Sequence, residues 1–381
     1  MREVAIIGVG STVFAKSPQK AIFELGTEAT LAALKDAGIS PKDVQFAYYA
    51  NLYGGMVEGQ AALRDAGITG VEVTNIENAC TGGATAIRRT WYDIASGLYD
   101  IGIAVGAESM TTSPIAGKLI TPARGDVSGE LGMNTVAKFA LSQRRYMDVY
   151  GVTLEQIAQV SVKNHHNGCT NPYSQYKKEL SVADIINSRL ICDPITQLQS
   201  CATTDGAAAA VLVSLDIARR YTTRPVIIAA SIIKGGDYAF RQKDLTFSDM
   251  TDKASRDAYV MAGVGPEDID LCELHDAFAV NELQHYVELG FCRSGEEVGL
   301  LMDGVTGLKG RLPVNPSGGL LSKGHPLSAT GVAQITEIVW QLRGQAGANQ
   351  IAGARIGLAH TLGGEVADLE AGAVGIHILK I

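Results

Sequence analysis

The chain is short of the features that would send it out of the cell, into a membrane or onto a nucleic acid. Its six cysteines (Cys80, Cys169, Cys192, Cys201, Cys272 and Cys292) form no Cys-x-x-Cys pair, so it carries no zinc-ligand or dithiol spacing of its own. The start, Met1-Arg2-Glu3-Val4-Ala5-Ile6-Ile7-Gly8, has neither the n-region nor the h-region of an export signal. Scattered thiols without such a signal predict reduced cysteines and a cytoplasmic setting. Apolar runs stay at about ten residues, roughly half of what spans a bilayer. With 32 basic residues against 40 acidic ones, the net charge is −8, and a basic nucleic-acid-binding face has little to draw on. No GxxxxGK[ST] phosphate loop occurs either.

What is present suffices for a large core. Of 381 residues 46% are apolar and 19% charged, so no stretch has the composition of a disordered segment. That length suggests two or three domains. Glycine is in excess at 43 residues with no collagen-like period, which points to tight turns and close backbone approaches. Short β-branched runs alternate with helical patterns: strands over 4–7, 44–50, 71–76 and 101–106, helices over about 18–37 and 85–98. This rhythm predicts an α/β fold with largely buried sheets.

A repeat underlies the rhythm. Ala33-Leu34-Lys35-Asp36-Ala37-Gly38-Ile39-Ser40-Pro41-Lys42-Asp43-Val44 returns as Ala258-Tyr259-Val260-Met261-Ala262-Gly263-Val264-Gly265-Pro266-Glu267-Asp268-Ile269 at a constant offset of 225 residues. Each copy reads as a helix end with Gly after it, a Pro turn, then a strand. Residues 4–7 also correspond to 226–229, and 101–104 to 356–359, at other offsets. Residues 1–110 with 196–222 are therefore expected to form a first half and 223–381 a second. The intervening 111–195, of different texture, is expected to be a loop domain inserted into the first.

The sharpest local feature is Asn78-Ala79-Cys80-Thr81-Gly82-Gly83-Ala84-Thr85-Ala86. Cys80 falls at a strand-to-helix elbow, where a helix N-terminus is expected to favour the thiolate. A lone Cys is more often a small buried apolar residue; the elbow and the glycine pair favour a nucleophile. A nucleophilic thiol needs a base, and a thioester intermediate needs oxyanion donors. Three histidines enter glycine- or proline-bearing turns after β-rich segments: His275 in Glu273-Leu274-His275-Asp276-Ala277-Phe278, His325 in Gly324-His325-Pro326, and His360 in Leu358-Ala359-His360-Thr361-Leu362-Gly363-Gly364. His165, His166, His285 and His377 lack that setting and read as surface or packing residues. Among the other thiols, Cys272 reads as packing inside a strand, and Cys201 and Cys292 as weak rivals.

In combination, the Cys80 loop, the His-Asp-Ala-Phe loop, the Gly-His-Pro loop and the late Gly-Gly loop resemble the thiolase superfamily over essentially the full length. The likeness is greatest to its sterol-carrier-protein-2-type and archaeal-type branch. The resemblance implies a duplicated five-layer α-β-α-β-α fold with an inserted loop domain. It also implies CoA-dependent cleavage of a 3-oxoacyl-CoA, or the reverse Claisen condensation, with coenzyme A as a substrate. By it, Cys80 takes the acyl group, His325 activates the thiol and His275 helps hold the enolate oxygen. The backbone N–H groups of Cys80 and Gly364 would form a second oxyanion hole.

The family's second cysteine is missing from two places where it occurs: the last loop carries His360-Thr361-Leu362-Gly363, and the His-Asp loop carries Ala277. His360 is the expected proton carrier in its stead, an imidazole having a suitable pKa; the alternative is that it only orients substrate. CoA contacts are expected from the insertion, with Arg124, Lys163, His165 and Lys177 as candidates. Tyr146, Tyr150, Tyr173 and Met133 could shape an acyl pocket. Three rival functions stand beside this one: a decarboxylating Cys-His-His condensing enzyme, a retro-aldolase of the same branch, and a non-catalytic lipid-binding or scaffold subunit. The resemblance further implies a homodimeric core and a small partner with an OB-fold and a zinc ribbon. Acetoacetyl-CoA, a branched or steroid side-chain thioester, and an aromatic benzoylsuccinyl-type thioester all fit as substrates.

Overall fold

The computed structural model describes every residue except 17–18, 114–115, 119–126, 239–243 and 368–369. Strands β1 (Val4–Ser11), β2 (Phe46–Ala50), β3 (Glu72–Ile76) and β4 (Ile101–Ser109) come first, interleaved with helices α1 (Ile22–Ala37), α2 (Glu58–Asp65) and α3 (Gly82–Ser96). The next segment holds α4 (Val127–Glu130), α5 (Thr135–Tyr150), α6 (Leu154–Thr170), α7 (Val182–Ile186) and a hairpin of β5 (Leu190–Cys192) and β6 (Ile195–Thr196). β7 (Asp205–Ser214), α8 (Leu215–Ala218), β8 (Val226–Gly235), α9 (Asp249–Ala262) and β9 (Leu271–Glu273) follow. The chain ends with α10 (Ala279–Glu288), α11 (Glu297–Met302), α12 (Gly319–Ser322), α13 (Thr330–Arg343), β10 (Ile356–Ala367) and β11 (Glu370–Lys380). The helix expected from about residue 18 begins at Ile22.

Nine strands lie in the order β3-β2-β4-β7-β1-β8-β11-β10-β9. The seam between β1 and β8 is only two residue pairs long, Ala5 with Ile227 and Ile6 with Val226. Outward from it each half repeats one pattern. β1 pairs antiparallel with β7, β7 with β4, and β4 runs parallel to β2. On the other side β8 pairs antiparallel with β11, β11 with β10, and β10 runs parallel to β9. Even β3 has its counterpart, a parallel bridge between Cys272 and Val314. The repeated dodecapeptide folds the same way twice. α1 and α9 end on Gly38 and Gly263 in the left-handed region, at φ 67° and 68°, where glycine has no Cβ to clash. A 3-10 turn opened by Pro41 or Pro266 then feeds β2 or β9.

Burial divides into three cores, which set the layers. Leu25, Ala29 and Ala33 of α1 cover one face of the first half-sheet through Ala5, Ile7 and Val211. Ile87 and Ile94 of α3 and Ile335, Ile338 and Val339 of α13 lie between the half-sheets, against Ile6 and Leu212 on one side and Leu271 and Ala359 on the other. Ala254 and Ala258 of α9 and Val280 and Leu283 of α10 cover the far face of the second half-sheet. The order is helix, sheet, helix, sheet, helix. Among the described residues, no helix is long and apolar enough to cross a membrane.

The segment between β4 and β7 interrupts the first half in sequence but packs on the second. Ala140 of α5 and Ile157 and Val160 of α6 belong to the same apolar core as α9 and α10. Asn164 of α6 donates to Asp276 (2.7 Å) and Glu282 (2.8 Å), and Lys163 forms an ion pair with Glu282 (2.9 Å).

Candidate active site

β3 ends at Ile76, a single 3-10 turn covers Ala79–Thr81, and α3 starts at Gly82, so Cys80 stands at the elbow. Ala79 takes φ 45°, a left-handed conformation that an L residue with a Cβ holds only under constraint. Glu77 supplies part of that constraint, its carboxylate accepting from the Ala79 N–H at 2.8 Å. The glycines that follow let α13 close in. A Cβ on Gly83 would lie 2.6 Å from the Ser328 carbonyl, and one on Gly331 would lie 2.4 Å from the Ala84 nitrogen. The two central helices therefore touch backbone to backbone beside the nucleophile loop and the His325 loop.

His325 is fixed by both halves. Its N–H donates to Thr204 Oγ1 at 3.2 Å, from the segment entering β7, and Nδ1 lies 2.7 Å from Thr330 Oγ1. The Thr330 hydroxyl donates to the Pro326 carbonyl at 3.1 Å. It must then accept from Nδ1–H, which leaves Nε2 with a free lone pair. His275 approaches from the loop after β9, its ring 4.9 Å from that of His325 and nearly perpendicular. Asp276 locks these two loops together: its carboxylate accepts from the Leu320 N–H at 2.7 Å, on the short helix that precedes Gly324-His325. The Cys80 sulfur and one ring nitrogen from each of His275 and His325 all lie within 4.8 Å of one another. The N–H groups of Gly364 and of Cys80 itself point at the same sulfur, with Gly364 at φ 71°.

The electrostatics differ from what the elbow alone suggests. Burial pushes the Cys80 thiol up to about 12, overriding the two N–H groups, and the nearby Glu108 and Glu365 carboxylates push the same way. Burial also holds His325 down, to about 3, and keeps His275 well below the usual imidazole range, with His325 and His360 adding to the effect. The resting site is a neutral thiol among neutral imidazoles. The expected thiolate-stabilising effect of the helix N-terminus loses to desolvation, which acts on the whole sulfur.

The other expected residues fall elsewhere. His360 is outside the cluster. Along β10, Thr361 and Gly363 face α3, where a Cβ on Gly363 would meet the Cys80 nitrogen at 2.8 Å. His360, on the opposite face, sets its ring against that of His285 in α10, 4.5 Å away. Strand alternation thus separates it from the sulfur, which corrects the expectation of a proton carrier there. Lys163 and His165 are likewise not free to hold CoA. Lys163 is engaged by Glu282 and by the Val314 carbonyl (2.8 Å). His165 is buried against Tyr176, with its pKa lowered to about 4 by that burial. Lys177 is exposed and donates to the Pro172 carbonyl at 2.8 Å, and Arg124 lies outside the described residues.

Of the expected pocket residues, Tyr146 is buried and bonded to Glu297. Tyr173 stacks on Trp340, and Tyr150 meets the Ser294 hydroxyl. Cys272 is fully buried in β9. Sequence reasoning missed two things. One is the Lys163, Asn164, Glu282 and Asn315 network beneath the histidine loops, in which Asn315 donates to Glu282 (2.9 Å) and accepts from the Leu274 N–H (2.9 Å). The other is the position of Cys201, whose N–H donates to the Ala277 carbonyl at 2.8 Å.

Comparison with known proteins agrees with this arrangement. The family model described as thiolase, N-terminal domain, matches residues 4–216, and the one described as thiolase C-terminal domain-like matches residues 236–372. The chain is 40% identical to an acetyl-CoA acetyltransferase of Methanothermobacter thermautotrophicus over 100% of both chains. It is 38% identical to the benzoylsuccinyl-CoA thiolase subunit BbsB of Thauera aromatica over 95% of each. It is also 38% identical to sterol carrier protein 2 of Bos taurus, over 94% of this chain and 70% of that one. Among solved structures, the Ltp2-ChsH2(DUF35) aldolase superposes with a TM-score of 0.86 at 26% identity, covering 99% of this chain and 97% of that one. The chain belongs to the thiolase family and is an acyltransferase.

Proposed function

We propose that this thiolase transfers acyl groups through an acyl-Cys80 intermediate, cleaving a 3-oxoacyl-CoA with CoA or running the reverse condensation. The supporting observation is the cluster of Cys80, His275 and His325 within 4.8 Å. His325 Nε2 takes the Cys80 proton as the sulfur attacks the 3-oxo carbon; a thiol held near 12 needs such a base at neutral pH. The N–H groups of Cys80 and Gly364 receive the tetrahedral oxyanion. Neutral His275 and the now protonated His325 hold the thioester oxygen as the enolate departs; in a dry site each such donor is worth about 3 kcal/mol. CoA is a substrate, and Lys177 supports its entry side: the Gln175 and Tyr176 N–H groups bind the Lys323 and Ser322 carbonyls (both 3.0 Å), so the exposed Lys177 follows the chain beside the His325 loop.

The likeness to an aldolase favours one second reading, retro-aldol cleavage of a hydroxyacyl thioester. Such a reaction has no use for a nucleophilic sulfur at the elbow, and the present chain has one there. Decarboxylative condensation needs only Cys80, His275 and His325, and is separated by whether malonyl thioester releases CO2. The 3-oxoacyl group is proposed to be acetoacetyl, branched or steroidal, or benzoylsuccinyl-like. The assignment of 1–110 with 196–222, 111–195 and 223–381 as three units, and a cytoplasmic location, are carried forward as part of this reading. So is a homodimer through β3, the edge strand of the first half-sheet, whose outer side carries no further strand among the described residues. A small OB-fold, zinc-ribbon partner is proposed beside it, on the precedent of the named DUF35 complex.

The test is intact-mass analysis after mixing with a panel of 3-oxoacyl-CoA thioesters. The expected result is one acyl adduct on Cys80, discharged by CoA. No adduct, with carbon–carbon cleavage undiminished in Cys80→Ala, would favour the aldolase; silence on both counts would leave a scaffold subunit.

A further inference from the structure

We propose that Cys201 is the second catalytic thiol, carrying the proton to and from the α-carbon of the departing or attacking thioester; this rests on Cys80 being the acyl-carrying sulfur. Claisen chemistry needs such a carrier, because the enolate must be protonated after cleavage or formed before condensation. The groups around Cys80 narrow the choice. His325 is committed to the Cys80 proton. His360 is on the far face of β10. Glu365 is bonded to Lys138 (3.4 Å) and Thr135 (3.5 Å). Cys272 is buried within β9.

Cys201 meets the requirements of place. Its N–H donates to the Ala277 carbonyl at 2.8 Å, and Ser200 bridges to Phe278, so this segment runs antiparallel beside the loop that carries His275. Two residues away along that loop is a member of the cluster, His275. Cys80 and Asp276 lie close enough for their charges to be felt at the Cys201 sulfur. The residue opposite Cys201 is the small Ala277, whose side chain occupies little of the space between the segments. Both Cys80 and Cys201 are partly accessible, unlike the enclosed imidazoles around them. Burial raises the Cys201 pKa, which keeps it protonated at rest and ready to donate.

The steps balance. In cleavage the C2–C3 bond breaks as acyl-Cys80 forms, with the Cys80 proton on His325. The enolate of the departing thioester takes the Cys201 Sγ–H proton, leaving that thioester neutral and Cys201 a thiolate. Solvent returns a proton to this thiolate, and CoA, entering as its thiolate with its own proton left in solvent, attacks acyl-Cys80. The product acyl-CoA departs and Cys80 recovers its proton from His325. No oxidant or further reactant is needed.

The probe is acetyl-CoA, with two readouts on the full chain. Transfer of acetyl to Cys80, read by intact mass, needs no α-proton step; exchange of the acetyl methyl hydrogens with D2O does. Cys201→Ser and Cys201→Ala are expected to acetylate Cys80 within a fewfold of the parent rate while methyl exchange falls about 100-fold or more. Exchange at the parent rate in either variant overturns the proposal. So does loss of Cys80 acetylation in both, which would mark Cys201 as structural. A parent enzyme that exchanges nothing and never acetylates Cys80 instead brings down the nucleophile reading itself.

Discussion

α3 and α13 hold equivalent places in the two halves, between the half-sheets, but they are covered and equipped differently. α3 leaves Arg89, Tyr92 and Ser96 exposed along one side, while every residue of α13 is buried except the half-buried Trp340. The insertion explains part of this. It leaves the first half in sequence and spreads over the second, so the histidine loops gain a second layer of support from α6. The same topological position, the chain just ahead of the central helix, delivers a sulfur in one half and an imidazole in the other. Duplication thus gave two scaffolds facing each other, and chemistry arose from filling matched positions with a nucleophile and a base.

The largest effect by which to break that comparison concerns charge. If the sulfur half and the imidazole half are both neutral at rest, Cys80 reactivity must follow the small thiolate fraction of a group titrating near 12. Below that value the fraction grows tenfold per pH unit, and His325, titrating near 3, adds no limb in between. Alkylation of Cys80 by iodoacetamide, followed by peptide mass, should rise about 100-fold from pH 7 to pH 9 without levelling. A plateau across that range would mean a preformed thiolate–imidazolium pair.

A second, smaller effect lies at the crossing of the two central helices. Gly83 and Gly331 face each other's helices with no room for a methyl, and the atoms in the way are backbone. Gly331→Ala should cost about 2–3 kcal/mol of stability through overpacking, read as a lower midpoint in urea. It should also lower turnover, because moving α13 separates His325 from Cys80. Unchanged stability would show that the halves are less tightly coupled than their paired glycines indicate.

Much of this was legible in the sequence because its signals are local. The dodecapeptide at 33–44 and 258–269 disclosed the duplication, since Gly after a helix and Pro at a turn act on their own backbone. Cys80 at an elbow and His325 before Pro326 could be placed in the same way. The misjudged residues depend on distant neighbours. The helix N-terminus at Cys80 is a local effect, but the desolvation that outweighs it comes from every element packed around the sulfur. Cys201 could not be placed beside Ala277, because that pairing joins the approach to β7 with the loop after β9. Lys163 read as a free cation only while Glu282 and the Val314 carbonyl were out of sight.

His360 offers the smallest effect and the finest discrimination between local and distant information. It lies three residues before Gly363, an odd separation, so a strand that turns Gly363 toward Cys80 turns His360 away. Its ring contacts His285, and neither of its ring nitrogens has a partner among the described residues. Burial holds its pKa well below the usual imidazole range, with His285 adding to the effect, which favours the neutral ring. His360→Ala should therefore lower stability by about 2 kcal/mol, as a truncated core side chain does, while kcat changes less than about threefold. A fall of 100-fold in kcat with stability retained would restore His360 as the proton carrier, and would mean that β10 rearranges when substrate binds.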